Sequence, residues 1–480
     1  MSNLLNSLLS SAGALDAYDK VLQVTQNNVA NASTPGYVKH RQVLLAMPFD
    51  PAGGLAGGVR AGEVQSARSA YADQSVRRQL VDLGQAQQDV ASLSVVQSAF
   101  DISGDSGIPS ALNTLFRSFS AWAQSPGDYA ARQSVIERAD DVSAAFQQTS
   151  ENLTETAHET EHAAQQTVDT INTLAGQLRT LNDLARHGAA NDAGLDAQIH
   201  ATLEELSGYV SFAALEQDDG SVSVLINGQT PLLIGDEQYR ISCKLGQPDS
   251  PPPVYEGALP SLRLLASDGT DITAATTTGK LGALLDTRNR VLPAYVGDAW
   301  QQGDLNRLAA QFADRVNQLL TSGSVTTDVP PQPGIALFTY DANPTAAARS
   351  LTVDRSAVKP ELLGAIEPGP PPVSNGIPLA LSLLATPATA ADQIDGASYT
   401  QFYGQLASRA GAAWNEANGR LAVQQSAVAQ AKNLRQQMSG VSLDEEATIL
   451  IQFQRAYEAN SRLIGVLNDL TEDALNIIRE

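Results

Sequence analysis

The sequence predicts a multidomain α+β protein. Paired N- and C-terminal α-helices, similar to a coiled coil, accompany a helical bundle domain and one or two small β-rich outer domains. Three observations support this prediction: both chain ends have the apolar periodicity of amphipathic helices, long interior stretches repeat with helical spacing, and alternating strand-like segments lie between the ends. At 480 residues the chain is long enough for two to four domains.

The N-terminal helix is predicted from a heptad pattern in residues 1–32. Two sets of residues spaced by seven form one stripe, namely Leu8, Leu15, Leu22 and Val29 together with Leu4, Ser11, Tyr18 and Thr25. The helix should end near Ala32, because Thr34 precedes a proline and Pro35-Gly36 is a turn dipeptide. We expect the first set to form an assembly seam with a partner helix.

The C-terminal helix begins with a recognisable start signal. Ser442 is followed three residues later by Glu445, which is the spacing of a capping box. The apolar seam predicted for this helix consists of Leu450, Phe453, Tyr457, Ile464, Leu467 and Ile478. The simplest arrangement pairs this seam with that of the N-terminal helix, with the β-rich material at the far tip.

Between the ends, periodicity changes several times. Helical spacing is predicted for 68–100, 110–123, 129–187, 195–210 and 279–321. We divide the chain into seven segments in order: an axial helix with its following loop and strand (1–67, pairing with 440–480), the first part of a helical bundle (68–210), a β-rich segment (211–278), bundle continued (279–322), a Pro/Gly-rich outer domain (323–396), the last part of the bundle (397–439), and the C-terminal axial helix (440–480).

Composition and charge limit the class of function. The chain has 30 basic and 52 acidic residues, a net charge of −22, and such a surface disfavours binding to phosphate backbones or anionic lipid. Its one cysteine, Cys243, excludes an intrachain disulfide framework and suits a small half-buried strand residue better than a nucleophile. Residues 1–22 lack the basic region and cleavage site of a secretory signal peptide.

One motif raises the possibility of an enzyme. His158-Glu159-Thr160-Glu161-His162 has the H-E-x-x-H spacing of zinc peptidases, in which two imidazoles on one helical face hold the metal. The surrounding helix is polar, and only His187 and Glu204 are conceivable third ligands. A chance match on a solvated helix face is the better interpretation, so no metal or cofactor is expected.

Two further motifs are weaker. The glycine run from Gly53 to Gly58 lacks the lysine of a phosphate-binding loop and is expected to be a flexible loop. Asp218-Asp219-Gly220 could suggest calcium, but no further ligands follow at the right spacing, so a turn is favoured.

Motifs at both ends resemble known proteins. Residues 30–37, Ala-Asn-Ala-Ser-Thr-Pro-Gly-Tyr, resemble the N-terminal signature of flagellar rod, hook and hook-associated proteins. Residues 439–446, Ser-Gly-Val-Ser-Leu-Asp-Glu-Glu, with 453–457, Phe-Gln-Arg-Ala-Tyr, are similar to the flagellar hook-associated protein 1 family. The signature positions are Asn31, Thr34, Pro35, Gly36, Tyr37, Leu443, Asp444, Glu445 and Glu446. Val38-Lys39-His40 departs from the run that is commoner after Tyr37.

This resemblance implies a structural protein that is not an enzyme. Such proteins are exported through the flagellar type III apparatus and lie at the junction between hook and filament, outside the cell. The implied partners are further copies of the chain in a ring, the hook protein, a second hook–filament junction protein, and an export chaperone at the C-terminal helix. Nucleic acid and membranes are not expected as partners.

Three alternative functions are compatible with the sequence. The nearest is another axial protein, either the second junction protein or a hook subunit. A zinc peptidase carried on a flagellar scaffold depends only on residues 158–162, and a secreted adhesin would need outer domains that bind a host ligand. We also expect that 1–32 and 443–478 are largely disordered in the monomer and fold on assembly, because isolated amphipathic helices are marginally stable.

Overall fold

A computed structural model describes residues 2–50, 55–100, 106–189, 192–247, 251–255 and 258–479. The chain divides into two compact units, one formed by 1–83, 171–239 and 424–480, the other by 84–170 and 240–423. The fold is mostly helical with small antiparallel sheets, as the sequence predicted. Among the described residues, no helix is both long enough and apolar enough to cross a membrane.

The first unit contains both chain ends. Helix α1 (Ser2–Ala30) precedes strand β1 (His40–Ala46), which pairs antiparallel with β4 (Val59–Ser66), and the short strands β2 (Phe49–Asp50) and β3 (Leu55–Ala56) pair between them. The last helix, α12 (Leu443–Arg479), packs along α1. Within the predicted glycine loop, Gly53 and Gly54 lie outside the described residues, as does the side chain of Ile478.

The middle of the chain supplies the rest of the first unit. Strands β5 (Phe212–Glu216), β6 (Val222–Ile226), β7 (Thr230–Ile234) and β8 (Glu237–Gln238) follow α5 (Ala193–Ser207) and form a four-stranded antiparallel meander. The Asn227-Gly228 turn between β6 and β7 places both residues at positive φ, 52° and 73°.

A buried asparagine attaches this meander to the long helix α4 (Tyr129–Leu184). The Asn182 side chain donates to the carbonyl oxygens of Val222 (2.8 Å) and Gly235 (2.7 Å), and it accepts from the Val222 amide (2.9 Å). Because each of these groups is withdrawn from water, a side chain that pairs all of them avoids the cost of buried unsatisfied polar atoms.

The second unit has one large apolar core. It contains α3 (Gly107–Gln124) and α8 (Asp304–Ser322), and parts of α2 (Ala70–Ser98), α4 and α11 (Tyr399–Ser439) fall within its limits. Smaller elements complete it: β9 (Ser242–Gly246), β10 (Ser261–Leu265), α6 (Gly279–Asp286), α7 (Pro293–Val296), α9 (Ala347–Ser350) and α10 (Gly376–Leu383). The core includes buried residues from the Pro/Gly-rich segment, such as Phe338 and Leu381, which pack with those of the bundle helices.

One predicted helix is interrupted. Residues 279–321 were expected to form a continuous helix, but the chain leaves helical geometry between α7 and α8. Gly297 and Gly303 have φ values of 84° and 82°, and a Cβ on Gly303 would lie 2.3 Å from the Gly297 nitrogen. Only glycine fits this close backbone approach, so the pair forms a tight reversal that apolar periodicity did not reveal.

The aromatic centre of the second unit should dominate its stability. Phe312 is fully buried, and its ring lies 5.3 to 6.2 Å from those of Tyr399, Phe338 and Phe116. We expect Phe312→Ala to lower the free energy of unfolding of this unit by about 3–5 kcal/mol, because a cavity remains. Tryptophan fluorescence during urea unfolding measures this unit alone, since all three tryptophans, Trp122, Trp300 and Trp414, belong to it.

The matched control for this prediction is Phe49→Ala. Phe49 is 73% exposed in the first unit and should leave the tryptophan transition unchanged. Equal midpoints for the two variants would contradict the assignment of Phe312 to the core.

Candidate assembly site at the paired chain ends

The two terminal helices run antiparallel. Three contacts establish the direction: Asn28 with Glu446, the Tyr18 and Phe453 rings at 5.6 Å, and the Asn460 side chain donating to the Ser11 carbonyl oxygen at 3.0 Å. Residues late in α1 therefore lie beside residues early in α12, and the pairing continues towards the opposite ends. The two helices for which the sequence predicted apolar seams therefore lie side by side.

The fully buried line of α1 contains two residues of the predicted stripe, Ser11 and Thr25, together with four residues beside it. Small or polar side chains form this line, namely Ser11, Ala14, Ala17, Val21, Thr25 and Asn28. Leu8, Leu15 and Leu22 are half-buried beside it, and Val29 is 42% exposed. Small residues permit close approach of a partner backbone, so the leucines flank the contact line and the alanines occupy it.

The predicted seam of α12 is only partly buried in the single chain. Leu450, Phe453, Ile464 and Leu467 are half-buried, and Tyr457 is 38% exposed. Among the described side chains of α12, only Glu446 is fully buried. The helix thus leaves most of its apolar surface accessible in the single chain.

The Asn28 side chain connects the two chain ends. Its amide nitrogen donates to Glu446 Oε2 (3.0 Å) and to the His40 carbonyl oxygen (2.8 Å). Its oxygen accepts from the Tyr37 hydroxyl (2.9 Å) and the His40 amide (3.0 Å). All four hydrogen-bonding positions of the amide are therefore used, which fixes its orientation.

Lys39 adds an ion pair to the same place. Its Nζ lies 2.8 Å from Glu445 Oε2 and 3.1 Å from Glu446 Oε1, and its backbone amide donates to the Ser439 carbonyl oxygen at 2.9 Å. Partial burial alone would lower the pKa of Lys39, but the two carboxylates outweigh it and raise that pKa. Burial, helped by the Glu446 charge, raises the pKa of Tyr37 to about 12. We call Asn28, Tyr37, Lys39, Glu445 and Glu446 the terminal clamp.

The remaining signature residues shape the loop after α1. Asn31 Nδ2 donates to the Asn27 carbonyl oxygen at 3.0 Å, and Thr34 Oγ1 donates to Asn31 Oδ1 at 3.1 Å. Gly36 has a φ of 76°, and a Cβ there would lie 2.2 Å from the Ala197 carbonyl oxygen. Glycine is required at this position both by the backbone angle and by the approach of α5.

An arginine holds this loop against the helices. The Arg68 guanidinium donates to the Gly36 carbonyl oxygen (2.8 Å) and pairs with Asp73 (2.9 Å) and Asp196 (2.6 Å). The Arg68 side chain is 10% exposed and that of Asp73 is 4% exposed, so the charges are largely withdrawn from water. Arginine suits this role because its planar group can satisfy several acceptors at once.

The same cluster includes a histidine and the end of α11. His200 is buried, and burial together with the nearby Arg68 charge lowers its pKa to about 3, so it is neutral at physiological pH. Arg435 lies 2.5 Å from Glu204 and 3.6 Å from Asp73, and Lys432 lies 3.1 Å from Glu204. Glu204, a conceivable zinc ligand from sequence, is instead the partner of two cations.

The candidate zinc motif remains on the surface. His158, Glu159 and His162 are exposed on α4, and His158 Nδ1 is 3.9 Å from Glu161 Oε2. His187 is exposed and contacts the Asp183 carbonyl oxygen at 2.7 Å. Across the described residues, no three side chains of His, Cys, Asp or Glu converge in a way that could hold a metal ion.

Other candidates are explained by local structure. Asp219 Oδ1 accepts from the Ser221 amide (3.0 Å) and hydroxyl (2.6 Å), so it stabilises the Asp218-Asp219-Gly220 turn. Cys243 is half-buried in β9, and burial followed by the charges of Asp169 and Glu161 raises the pKa of its thiol to about 12. A thiol with this pKa is a poor nucleophile.

Several clamp and cluster residues were not among the sequence-predicted site residues, notably Asn28, Lys39, Asp73, Asp196 and Arg435. Some of their partners are far away in the chain; Asn28 and Glu446 are separated by 418 positions, for example. No local spacing signals such a pair. Lys39 was noted only as a departure from the family's usual run.

The architecture and the clamp together fit a class of protein: an axial structural subunit whose two ends pair and leave apolar helix faces exposed. Comparisons with known proteins identify the family. The family model for the flagellar hook-associated protein FlgK helical domain matches residues 93–338, and that for the C-terminal region of flagellar basal body rod FlgEFG proteins matches 435–477. The chain belongs to the flagellar hook-associated protein 1 (FlgK) family.

Two individual relatives align with almost the whole length of the chain. It is 26% identical to flagellar hook-associated protein 1 of Bacillus subtilis (strain 168) over 522 residues, covering 99% of each chain. It is 23% identical to flagellar hook-associated protein 1 of Escherichia coli (strain K12) over 566 residues, covering 99% of this chain and 100% of that one.

A solved structure shares the fold. That structure, of the flagellar hook junction protein FlgK from Burkholderia pseudomallei, matches with a TM-score of 0.63 at 14% identity over 76% of this chain and 99% of that one. The chain is therefore a structural, non-enzymatic component of the extracellular flagellum, a hook–filament junction protein, as the motifs predicted.

The buried Glu446 and the exposed Glu445 should contribute differently to the stability of the terminal clamp. Glu446→Gln removes a charge that is 1% exposed and pairs with Lys39, whereas Glu445 is 67% exposed. We expect Glu446→Gln to cost about 1.5–3 kcal/mol locally, because charge-assisted hydrogen bonds are lost. Hydrogen exchange of the segments around His40 and Ser439, measured in isolated flagella, should accelerate accordingly.

Glu445→Gln is the matched control, because it changes the neighbouring residue and the same lysine partner. An exposed ion pair contributes about 0–1 kcal/mol, so exchange should change little. Similar acceleration in both variants would show that burial of Glu446 does not strengthen the clamp.

Proposed function

We propose that the chain joins hook to filament through subunit packing, with α1 and α12 forming the inner, axial part of the assembly. The observation that carries this proposal is the antiparallel pair of chain ends with its accessible apolar faces. Among the described residues of α1 and α12, seven large apolar side chains are at least 48% exposed: Leu5, Leu9, Leu443, Ile451, Leu463, Val466 and Leu470. A helix pair with this much exposed apolar surface is suited to association.

The partners are proposed from the family and the helix faces together. They are further copies of the chain in a ring, the hook protein, a second hook–filament junction protein, and an export chaperone that binds α12 before secretion. In support, α12 keeps one fully buried side chain among its described residues, so its apolar face is accessible to several partners in turn. The predicted seam residues of both helices, from Leu8 to Val29 and from Leu450 to Leu467, are proposed to be buried in the assembly.

The segment boundaries from sequence remain part of this proposal. The axial segments 1–67 and 440–480 would form the inner layer. The bundle segments and the β-rich and Pro/Gly-rich segments would lie further out.

The function is tested in cells that lack this chain. We expect hooks without filaments, with flagellin released into the medium, because the filament has no surface on which to assemble. Electron microscopy counts hooks and filaments, an immunoblot of the medium detects flagellin, and a plasmid copy of the chain is the control. Normal filaments would contradict a junction role, and absent hooks would place the chain in the rod or hook.

A second test concerns order in the terminal helices. We expect amide exchange in residues 4–30 and 443–474 to be fast in the purified monomer and at least about tenfold slower in isolated flagella, because packing supplies most helix stability. Exchange in α3 should be slow in both states and is the internal control. Strong protection of both ends in the monomer would contradict folding on assembly.

A further inference from the structure

The first unit carries an open apolar groove beside the beginning of α1. Its volume is about 460 Å³, and Asn6, Leu9 and Gly13 of α1 face Met47, Leu55 and Val59 of the β1–β4 region across it. Leu9 is 63% exposed, Leu55 48% and Met47 42%. No described helix of the chain fills it, so these side chains remain in contact with water.

The same unit carries a matching ridge on α12. Leu463, Val466 and Leu470 are 48%, 54% and 49% exposed, and they follow one another at spacings of three and four residues. They are distinct from Phe453, Ile464 and Leu467, which are half-buried on the side of α12 towards α1. Anchors at i, i+3 and i+7 are the pattern with which an amphipathic helix fills an apolar groove.

Charge favours one pairing of these two surfaces. Arg60 is the only charged residue that lines the groove, and it forms no ion pair with any described side chain. Residues 462–474, which include the ridge, carry three exposed acidic residues, Asp469, Glu472 and Asp473, against one exposed basic residue, Arg462, so the segment is net acidic. The ridge is therefore the acidic counterpart of a groove with a basic edge.

We propose that the α12 ridge of one copy, Leu463, Val466 and Leu470, docks into the α1 groove of a second copy, with Asp469 facing Arg60. The inference rests on the proposed function and specifies one subunit contact within it. Because ridge and groove are different patches, each copy that uses its ridge leaves its own groove free. Such a heterologous contact continues from copy to copy and forms a ring when the rotation closes.

Disulfide crosslinking between copies tests the contact. The chain carries Val466→Cys and Met47→Cys, with the native Cys243 changed to Ser, and is produced in cells that lack the original. Both new cysteines replace exposed side chains, so the folded unit loses no buried contact. We expect mild oxidation of isolated flagella to produce a ladder of dimers, trimers and larger products.

The control combines Met47→Cys with Gln454→Cys, an exposed position elsewhere on α12, and should give no ladder. Filaments on normal hooks with no crosslinked product would overturn this contact but leave the junction function intact. A product that joins the chain to a different axial protein would overturn the second-copy assignment. A failure of the junction function itself appears separately, as normal filaments in cells without the chain.

Charge reversal gives an independent measurement. We expect Arg60→Glu to reduce filaments per cell about tenfold, because it places like charges against each other. Adding Asp469→Arg should restore most of the loss, since the pair is then reversed. An equal loss of filaments in the single and double variants would contradict the proposed contact between Arg60 and Asp469.

Discussion

The Asn28 amide is the interaction on which the axial end of this molecule depends. It is the point where α1, the loop through Tyr37 and His40, and the start of α12 meet through four hydrogen bonds. Without it, Lys39 would be the only described side chain that pairs with the buried Glu446 carboxylate, and His40 at the start of β1 would lose two hydrogen bonds to α1. Buried polar networks stabilise strongly when every member is satisfied, and this one is satisfied at its centre.

The clamp is connected to the rest of the first unit through the backbone of one loop. Tyr37 contacts Asn28 on one side, while the carbonyl oxygen of the adjacent Gly36 accepts from Arg68 on the other. Arg68 then reaches α2 through Asp73 and α5 through Asp196. Two adjacent residues of the loop after α1, Gly36 and Tyr37, thus tie the end of the helix to two others. This explains why a short Thr-Pro-Gly-Tyr segment is a recognisable signature.

Sequence periodicity predicted the elements well and their contacts less well. Both terminal helices, the Asn227-Gly228 turn and the Ser442 start of α12 follow from local rules, because caps, turns and apolar spacing act over a few residues. The buried line of α1 shares Ser11 and Thr25 with the predicted stripe but also includes Ala14 and Val21, which a search for conspicuous leucines does not reveal. The pairs Arg68–Asp196 and Asn28–Glu446 could not be predicted, because tertiary packing alone brings together residues that are 128 and 418 positions apart.

Helix α12 has no fully buried apolar side chain among its described residues in the single chain. A helix usually gains its stability from a buried apolar face, but the one fully buried side chain described in α12 is a carboxylate. Its position is therefore fixed at one end by polar contacts, while the leucines and valine further along contribute little until a neighbour covers them. Burying each of these side chains fully is worth roughly 1.5–3 kcal/mol. We therefore propose that polar contacts set the direction of the helix within the chain, that apolar contacts between chains supply most of its stability, and that order at this end is thereby coupled to assembly.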